Sequence, residues 1–210
     1  MFFRESNQTK NGRTGGFTLI EAVISIGIFV LFASIVLLRY GDFQGSILLT
    51  NLAYDVALQI RQAQVYGIAV REGEDSVGTK TFKRAYGIHF DLATDTKYLA
   101  FSEPSSLGPG SDRKYDPADV NDINEREYNL NGGYLIKDLC VDVAAGTLCG
   151  ADGVDIVDIV FVRPNLGALI YYKQGLTEGT ATNAKIEFTS KSGGVRSVTV
   201  RASGQISVRE

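Results

Sequence analysis

One stretch near the start of this chain limits its fold more than any other. Residues 17–38 form an apolar run that contains one ionisable group, Glu21. As a helix the run would be about 33 Å long, enough to cross the hydrocarbon core of a bilayer. A carboxylate at that depth costs about 2.5–3.5 kcal/mol on insertion scales. We therefore expect Glu21 to have a cationic partner, and no residue of the run can supply one.

The residues around Glu21 point to the source of that cation. The stretch Gly15-Gly16-Phe17-Thr18-Leu19-Ile20-Glu21 resembles the processing site of type IV pilins and of type II secretion pseudopilins. The resemblance implies that a prepilin peptidase cuts between Gly16 and Phe17 and methylates the new Phe17 amine. It also implies that Glu21, with Thr18 beside it, acts in assembly by pairing with the Phe17 amine of a neighbouring subunit. The alternative is a plain signal anchor whose first-turn acid is stabilised by the helix dipole.

The segments on either side of the apolar run predict how it lies in the membrane. Residues 1–16 are polar and basic, and we expect them to be a cleaved leader. No small-residue cleavage site follows the run, so the helix itself is expected to stay. The basic leader predicts a cytoplasmic N-terminus, with residues 39–210 on the other side. The expected location is the inner (cytoplasmic) membrane, in a single pass, and afterwards a filament.

Beyond the membrane segment the pattern predicts an amphipathic helix and then strands. Residues 39–71 would be the amphipathic half of one long N-terminal helix, most clearly over 46–71. Its expected core stripe is Leu48, Leu52, Val56, Ile60 and Ala63. Residues 72–210 would form an extracytoplasmic domain rich in β-structure. The predicted strands, dominated by β-branched and aromatic residues, are 85–90, 98–101, 135–143, 154–163, 168–172, 185–189, 197–201 and 205–208. Residues 103–126 are expected to be a long surface loop.

These elements predict an α+β, pilin-like fold, with a long helix packed on an antiparallel sheet domain. A weaker resemblance lies in the C-terminal part, from Phe161-Val162-Arg163-Pro164-Asn165-Leu166-Gly167 to Ser203-Gly204-Gln205-Ile206. It is similar to the H-type minor pseudopilins and the related fimbrial minor pilins. That resemblance implies a helix packed on two small antiparallel sheets, and it favours a minor subunit.

Two cysteines and one histidine are the candidates for site chemistry. Cys140 and Cys149 would face each other if the chain turned symmetrically between them, and a domain outside the cytoplasm can keep a disulfide. Two buried, unpaired thiols are the alternative. His89, the sole histidine, lies in an alternating strand, where we expect a solvated or hydrogen-bonded imidazole. A catalytic thiol is therefore not favoured.

The charged residues offer two further sites, and neither is favoured. Five acids lie close in sequence (Asp138, Asp142, Asp152, Asp155 and Asp158), but their spacing differs from that of a calcium loop. We expect a solvated acidic edge and no metal site. Residues 191–210 are locally basic, although the chain carries a net charge of −3. Some fimbrial minor pilins bind DNA through a Gly-Arg-x-Arg tail, and here the matching residues are 204–207, Gly-Gln-Ile-Ser, which disfavours nucleic acid.

The sequence therefore predicts a structural subunit, not an enzyme, with no cofactor. The expected partners are prepilin peptidase, other pilin or pseudopilin subunits, the inner-membrane assembly platform and, before assembly, membrane lipid. The sequence does not distinguish a subunit of a type IV pilus from a subunit of a secretion pseudopilus. Two alternatives are also open: a DNA-binding minor pilin for DNA uptake, and a membrane-anchored binding module that does not polymerise.

Overall fold

The computed structural model describes residues 16–69, 72–74, 80–82, 84–104, 112–119, 122–191 and 193–209. The expected leader therefore lies outside the described residues, apart from Gly16. Within them the chain forms one long helix, α1 (Leu19–Ile68), followed by short strands. The strands are β1 (Gly73–Glu74), β2 (Lys80–Thr81), β3 (Arg84–Asp91), β4 (Lys97–Pro104), β5 (Ile123–Asn129), β6 (Leu135–Val143), β7 (Gly146–Leu148), β8 (Val154–Phe161), β9 (Ala168–Gln174), β10 (Thr177–Ala181), β11 (Asn183–Thr189), β12 (Val195–Arg201) and β13 (Ile206–Arg209).

The chain divides into two compact units, Met1–Gly41 and Asp42–Glu210. Helix α1 contributes its first part to the first unit and its remainder to the second, which also holds the strands. The α+β class expected from the sequence is confirmed. The helix begins at Leu19, two residues after the expected start, and the last two residues of the expected 46–71 helix lie outside the described ranges.

Two antiparallel sheets form most of the second unit. One has six strands in the order β10-β9-β8-β3-β4-β5, and the other has five in the order β13-β12-β11-β6-β7. A separate two-stranded ribbon pairs β1 with β2. After β5 the chain leaves the six-stranded sheet and forms β6 and β7 of the five-stranded sheet. At β8 it returns to the six-stranded sheet, and at β11 it enters the five-stranded sheet again. The large sheets are therefore interleaved in sequence and share one core.

That core is lined on one side by α1 and on the other by the inner faces of both large sheets. The helix contributes Leu49, Ala53, Val56, Ile60 and Ala63, all buried. The predicted core positions Val56, Ile60 and Ala63 are correct. The other two, Leu48 and Leu52, each lie one residue before the buried position. Each step of four residues advances the face by about 40°, so a run of such steps drifts around the helix. Alternating steps of four and three keep the buried residues on one face.

The strands predicted from apolar and β-branched residues are confirmed, whereas polar strands were not predicted. The expected hairpin of 85–90 with 98–101 is β3 paired with β4, and 135–143 is β6. Strands β5, β7 and β10 were not predicted. Residues 123–126, expected in a surface loop, belong to β5, an edge strand with the sequence INEREYN. Few of its residues are apolar, because an edge strand in water can be polar on both faces.

Contacts made by Gln64, Gly67 and Arg196, outside the apolar core, also attach α1 to the rest of the second unit. The buried Gln64 amide donates hydrogen bonds to the carbonyls of Leu166 (3.0 Å) and Gly204 (3.2 Å). Gly67 lies so close to Phe161 of β8 that a side chain would collide with its backbone. Arg196 of β12 donates to the hydroxyl of Thr50 at 3.0 Å. These contacts fix how the helix lies over both sheets within the second unit.

Candidate functional site

The first helical turn places the residues expected to act in processing and assembly. Thr18 caps α1: its hydroxyl accepts the backbone N–H of Glu21 at 3.3 Å, and its carbonyl accepts that of Ala22 at 3.1 Å. A threonine followed three residues later by glutamate is a common helix-start pattern. Gly16 and Phe17 precede the helix and are exposed. The Gly16–Phe17 peptide bond therefore lies outside regular structure, one turn before Glu21.

The apolar surface of the first unit is not covered by any of that unit's described residues. The side chains from Phe17 to Leu37 are exposed, except that Ala33 is half-buried. In the described residues, Leu19–Leu37 is the one segment long and apolar enough to cross a membrane. A contiguous apolar surface of this extent marks contact with lipid or with another protein. Glu21 lies on this surface as its single ionisable group.

In the second unit, α1 has a further apolar stripe on its exposed face. Ile47, Tyr54, Leu58 and Val65 recur at steps of seven, four and seven residues, and each is 46–63% exposed. This spacing holds residues on one line of a helix. The line lies opposite the buried stripe that begins at Leu49. We call these four residues the exposed seam.

Cys140 and Cys149 form a disulfide bond in the structure. The bond lies at the hairpin of β6 and β7, where Val141 pairs with Leu148 and Val143 with Gly146, so the cysteines are the next facing pair. Asp138 lies close to both sulfurs, and these three residues are the one close group of potential metal ligands within the described ranges. Because both sulfurs are used in the disulfide, the group offers no thiolate to a metal.

Four of the five acids expected along a solvated edge are exposed or half-buried, and they have separate hydrogen-bond partners. Asp142 accepts hydrogen bonds from Thr147 and Asn183, which lower the pKa of its carboxyl. Asp138 accepts the backbone N–H of Gly150 at 2.9 Å. The expectation was wrong for Asp158, which is buried in the middle of the six-stranded sheet. Sequence spacing alone could not separate an outward aspartate from a buried one.

Asp158 belongs to a polar pair that the sequence reasoning missed. It faces His89 across β3 and β8, with 2.6 Å between His89 Nδ1 and Asp158 Oδ1. The other carboxylate oxygen accepts the backbone N–H of Tyr115 at 3.3 Å. Burial raises the pKa of Asp158, and the contact with His89 opposes that rise. The available signal was an aspartate at the centre of the apolar strand Val-Asp-Ile-Val-Asp-Ile-Val-Phe.

A second buried acid lies at the end of β4. Glu103 is fully buried beside the carboxyl of Asp122. Burial first, and then the neighbouring Asp122, raise the pKa of Glu103 to about 9. Burial also raises the pKa of Asp122. At neutral pH this part of the fold therefore holds a protonated carboxylic acid, although the sequence indicated a surface loop.

The basic C-terminal residues do not share one face. Arg196 contacts Thr50 and Ser46 on α1, so it faces the helix. Arg201 and Arg209 are exposed on the five-stranded sheet. Arg196 therefore does not belong to an exposed basic surface with Arg201 and Arg209. Fewer basic side chains of residues 191–210 are therefore available to bind an anionic partner than the sequence indicated.

Comparison with known proteins finds no match to this chain among family models, curated proteins or solved structures.

Proposed function

We propose that this chain is a pilin-like structural subunit, of the minor type, in a type IV pilus or a type II secretion pseudopilus. The observation that carries the proposal is Glu21, a lone acid on an exposed apolar helix one turn after the Gly16–Phe17 bond. The apolar run of residues 17–38 contains no cationic side chain that could pair with it. Processing would create its partner.

The chemistry of that partner follows from the position of the bond. Cleavage between Gly16 and Phe17 by prepilin peptidase leaves an α-amino group on Phe17, and methylation keeps it positive. When subunits leave the membrane and pack their helices, the carboxylate of Glu21 meets the amine of a neighbour. In a low-dielectric filament core such a pair is strong, and either charge alone is costly. The pair would therefore set the stagger between neighbouring subunits.

The second unit supports the same proposal through its surface. The exposed seam of Ile47, Tyr54, Leu58 and Val65 is apolar and uncovered within the unit. Contacts with neighbouring subunits would cover it, which would continue the helix packing beyond the membrane segment. The proposed location is the cytoplasmic membrane with the second unit outside, and then the filament. The assembly platform of that membrane would extract the helix from lipid.

Replacing Glu21 tests the proposal directly. We expect Glu21→Val to lower the amount of the chain in sheared filaments at least about tenfold, because a neighbour's amine would be buried unpaired. The level of the chain in membranes should stay the same. Asp55→Asn is the matched control, since Asp55 is an exposed acid of the same helix, and it should assemble normally. Wild-type incorporation of Glu21→Val would overturn the proposal.

Mass spectrometry of the N-terminus separates the proposal from a membrane anchor that does not polymerise. A processed subunit begins at Phe17 and carries one added methyl group on its amine. A chain that still begins at Met1 in cells producing filaments supports the anchor.

A further inference from the structure

The six-stranded sheet carries a cleft on the face that points away from α1. The cleft has a volume of about 530 Å³, within the range of roughly 300–1,000 Å³ typical of ligand sites. Its floor includes His89 of β3 and Asp158 of β8, and its wall is the segment 112–117. All of this lies in the second unit and plays no part in the assembly proposed above.

The floor of the cleft holds a fixed imidazole. Asp158 is buried, with Oδ1 2.6 Å from His89 Nδ1, and its Oδ2 accepts the backbone N–H of Tyr115. The ring of Tyr115 lies 4.7 Å from that of His89. In the tautomer that carries its hydrogen on Nδ1, towards Asp158, the Nε2 atom is a hydrogen-bond acceptor. His89 lines the cleft, so this atom is the polar group it can offer to a ligand.

The charges around the cleft largely satisfy one another. Lys114 contacts both Asp112 (2.9 Å) and Glu178, and Lys97 pairs with Glu127 at 3.0 Å. The lining contains both acids and lysines, so a ligand of either sign would meet like charge in the cleft. A strongly charged ligand would have to displace these pairs. The electrostatics therefore favour an uncharged ligand.

The remaining polar groups of the cleft include both donors and acceptors. Lys173 and the Tyr171 hydroxyl line the cleft and form no side-chain hydrogen bond or ion pair to any described residue. Asp91 uses one carboxylate oxygen to accept the Ala93 N–H, which leaves the other available. A ligand hydroxyl both donates and accepts, so it can satisfy either kind of group. A cluster of hydroxyls matches this mixture better than a purely donating or purely accepting ligand.

An extended peptide is a poorer fit for the floor of the cleft. Strands β3 and β8 pair with neighbours on both sides, so their backbone groups are already used in the sheet. A peptide that adds a strand needs a free sheet edge. Recognition at this floor must come from side chains, which suits a small ring-shaped ligand with polar groups around its rim.

We propose that this cleft binds a short neutral oligosaccharide. Lys173 and the Tyr171 hydroxyl hydrogen-bond to its hydroxyl groups, and His89 Nε2 accepts from another. The ring of Tyr115 packs against the apolar face of a sugar. The site gives the second unit a ligand on a surface separate from the exposed seam.

A glycan array tests this binding with the full chain in a phosphocholine detergent, which carries no sugar headgroup. The probes are immobilised neutral oligosaccharides of glucose, galactose, mannose and N-acetylglucosamine, with sialylated and sulfated forms for comparison. We expect retention of one or more neutral glycans. Lys173→Ala should weaken binding about tenfold or more, and Tyr171→Phe about twofold to tenfold, as expected for one lost hydrogen bond each.

Lys137→Ala is the matched control, a half-exposed lysine on the five-stranded sheet. It should bind like the wild type. Three results would overturn the proposal: no neutral glycan retained, retention of charged glycans alone, or equal weakening by Lys137→Ala. None of them bears on filament assembly, so the two proposals fail independently.

The sole histidine of the chain allows the site to be located. In a protein without a polyhistidine tag, the imidazole ¹H–¹⁵N spectrum reports on His89 alone. We expect a retained glycan to shift the Nε2 signal more than the Nδ1 signal. A glycan that binds without moving these signals occupies another surface, and that result would contradict the assignment of the cleft.

Discussion

At the scale of single residues, Glu103 is a group whose charge depends on the fold. In an unfolded chain its carboxyl would ionise near pH 4.5, and in the folded domain its pKa is about 9. The folded state therefore keeps a proton that the unfolded state releases. The contribution of Glu103 to the free energy of unfolding is therefore largest below about pH 4.5, and it falls as the pH rises towards 9.

Glu103→Gln should remove this dependence, because the amide stays neutral and has nearly the same shape. We expect the variant to be more stable than the wild type at pH 7–8.5 by on the order of 1 kcal/mol or more, and by much less at pH 5. Thermal unfolding of the full chain in detergent at these pH values measures the difference. Glu127→Gln, which removes an exposed carboxylate, should change stability by less than about 0.5 kcal/mol. A pH-independent effect of Glu103→Gln would contradict the assignment.

At the scale of elements, two of the glycines in helix α1, Gly67 and Gly27, have opposite surroundings. At Gly67 an added Cβ would lie 2.7 Å from Phe161 Cβ and 2.8 Å from its carbonyl carbon. At Gly27 nothing lies within 4 Å. The helix and β8 can approach this closely because Gly67 has no side chain. Close backbone approach, not helix flexibility, therefore explains the glycine.

Gly67→Ala should destabilise the second unit by about 1–3 kcal/mol, although alanine is the better helix former by about 1 kcal/mol. The collision is with backbone atoms, which cannot move aside as a side-chain end can. Near-ultraviolet circular dichroism during thermal unfolding follows the aromatic core and measures the change. Gly27→Ala should leave that transition unchanged. If Gly67→Ala unfolded at the wild-type temperature, the close contact with β8 would be wrong.

At the scale of the whole molecule, the disulfide is the one covalent constraint in the described part of the chain. It joins residues nine positions apart at the hairpin of β6 and β7. Strand β7 is short and lies at an edge of its sheet, so few hydrogen bonds hold it. The disulfide therefore lowers the conformational entropy of the unfolded chain and keeps β7 attached to β6.

Replacing both Cys140 and Cys149 with alanine should cost roughly 2–3 kcal/mol, from the loop entropy of a bond this short in sequence. For a domain of this size the unfolding temperature should fall by roughly 4–12 °C. The wild-type chain in reductant should show a similar fall. Alkylation of the unfolded chain without reductant should label neither cysteine. Labelling of both would show free thiols and remove the basis of the prediction.

The sequence by itself determined those features that depend on near neighbours along the chain. The apolar length of 17–38, the Thr18–Glu21 cap and the apolar strands can be read from hydropathy and spacing, because a helical turn or a strand is a local object. The class of the fold follows from those elements. The proposed assembly rests on the same local information, since Glu21 and the bond before Phe17 are one turn apart.

Only the tertiary structure decided which polar groups are buried and which residues meet. His89 and Asp158 are 69 positions apart, and sheet register brings them together. Glu103 looked like the start of a polar loop, but the fold buries it beside Asp122. Strand β5 is a strand because β4 offers it an edge. Burial and pairing depend on contacts distant in sequence, so local pattern does not contain them.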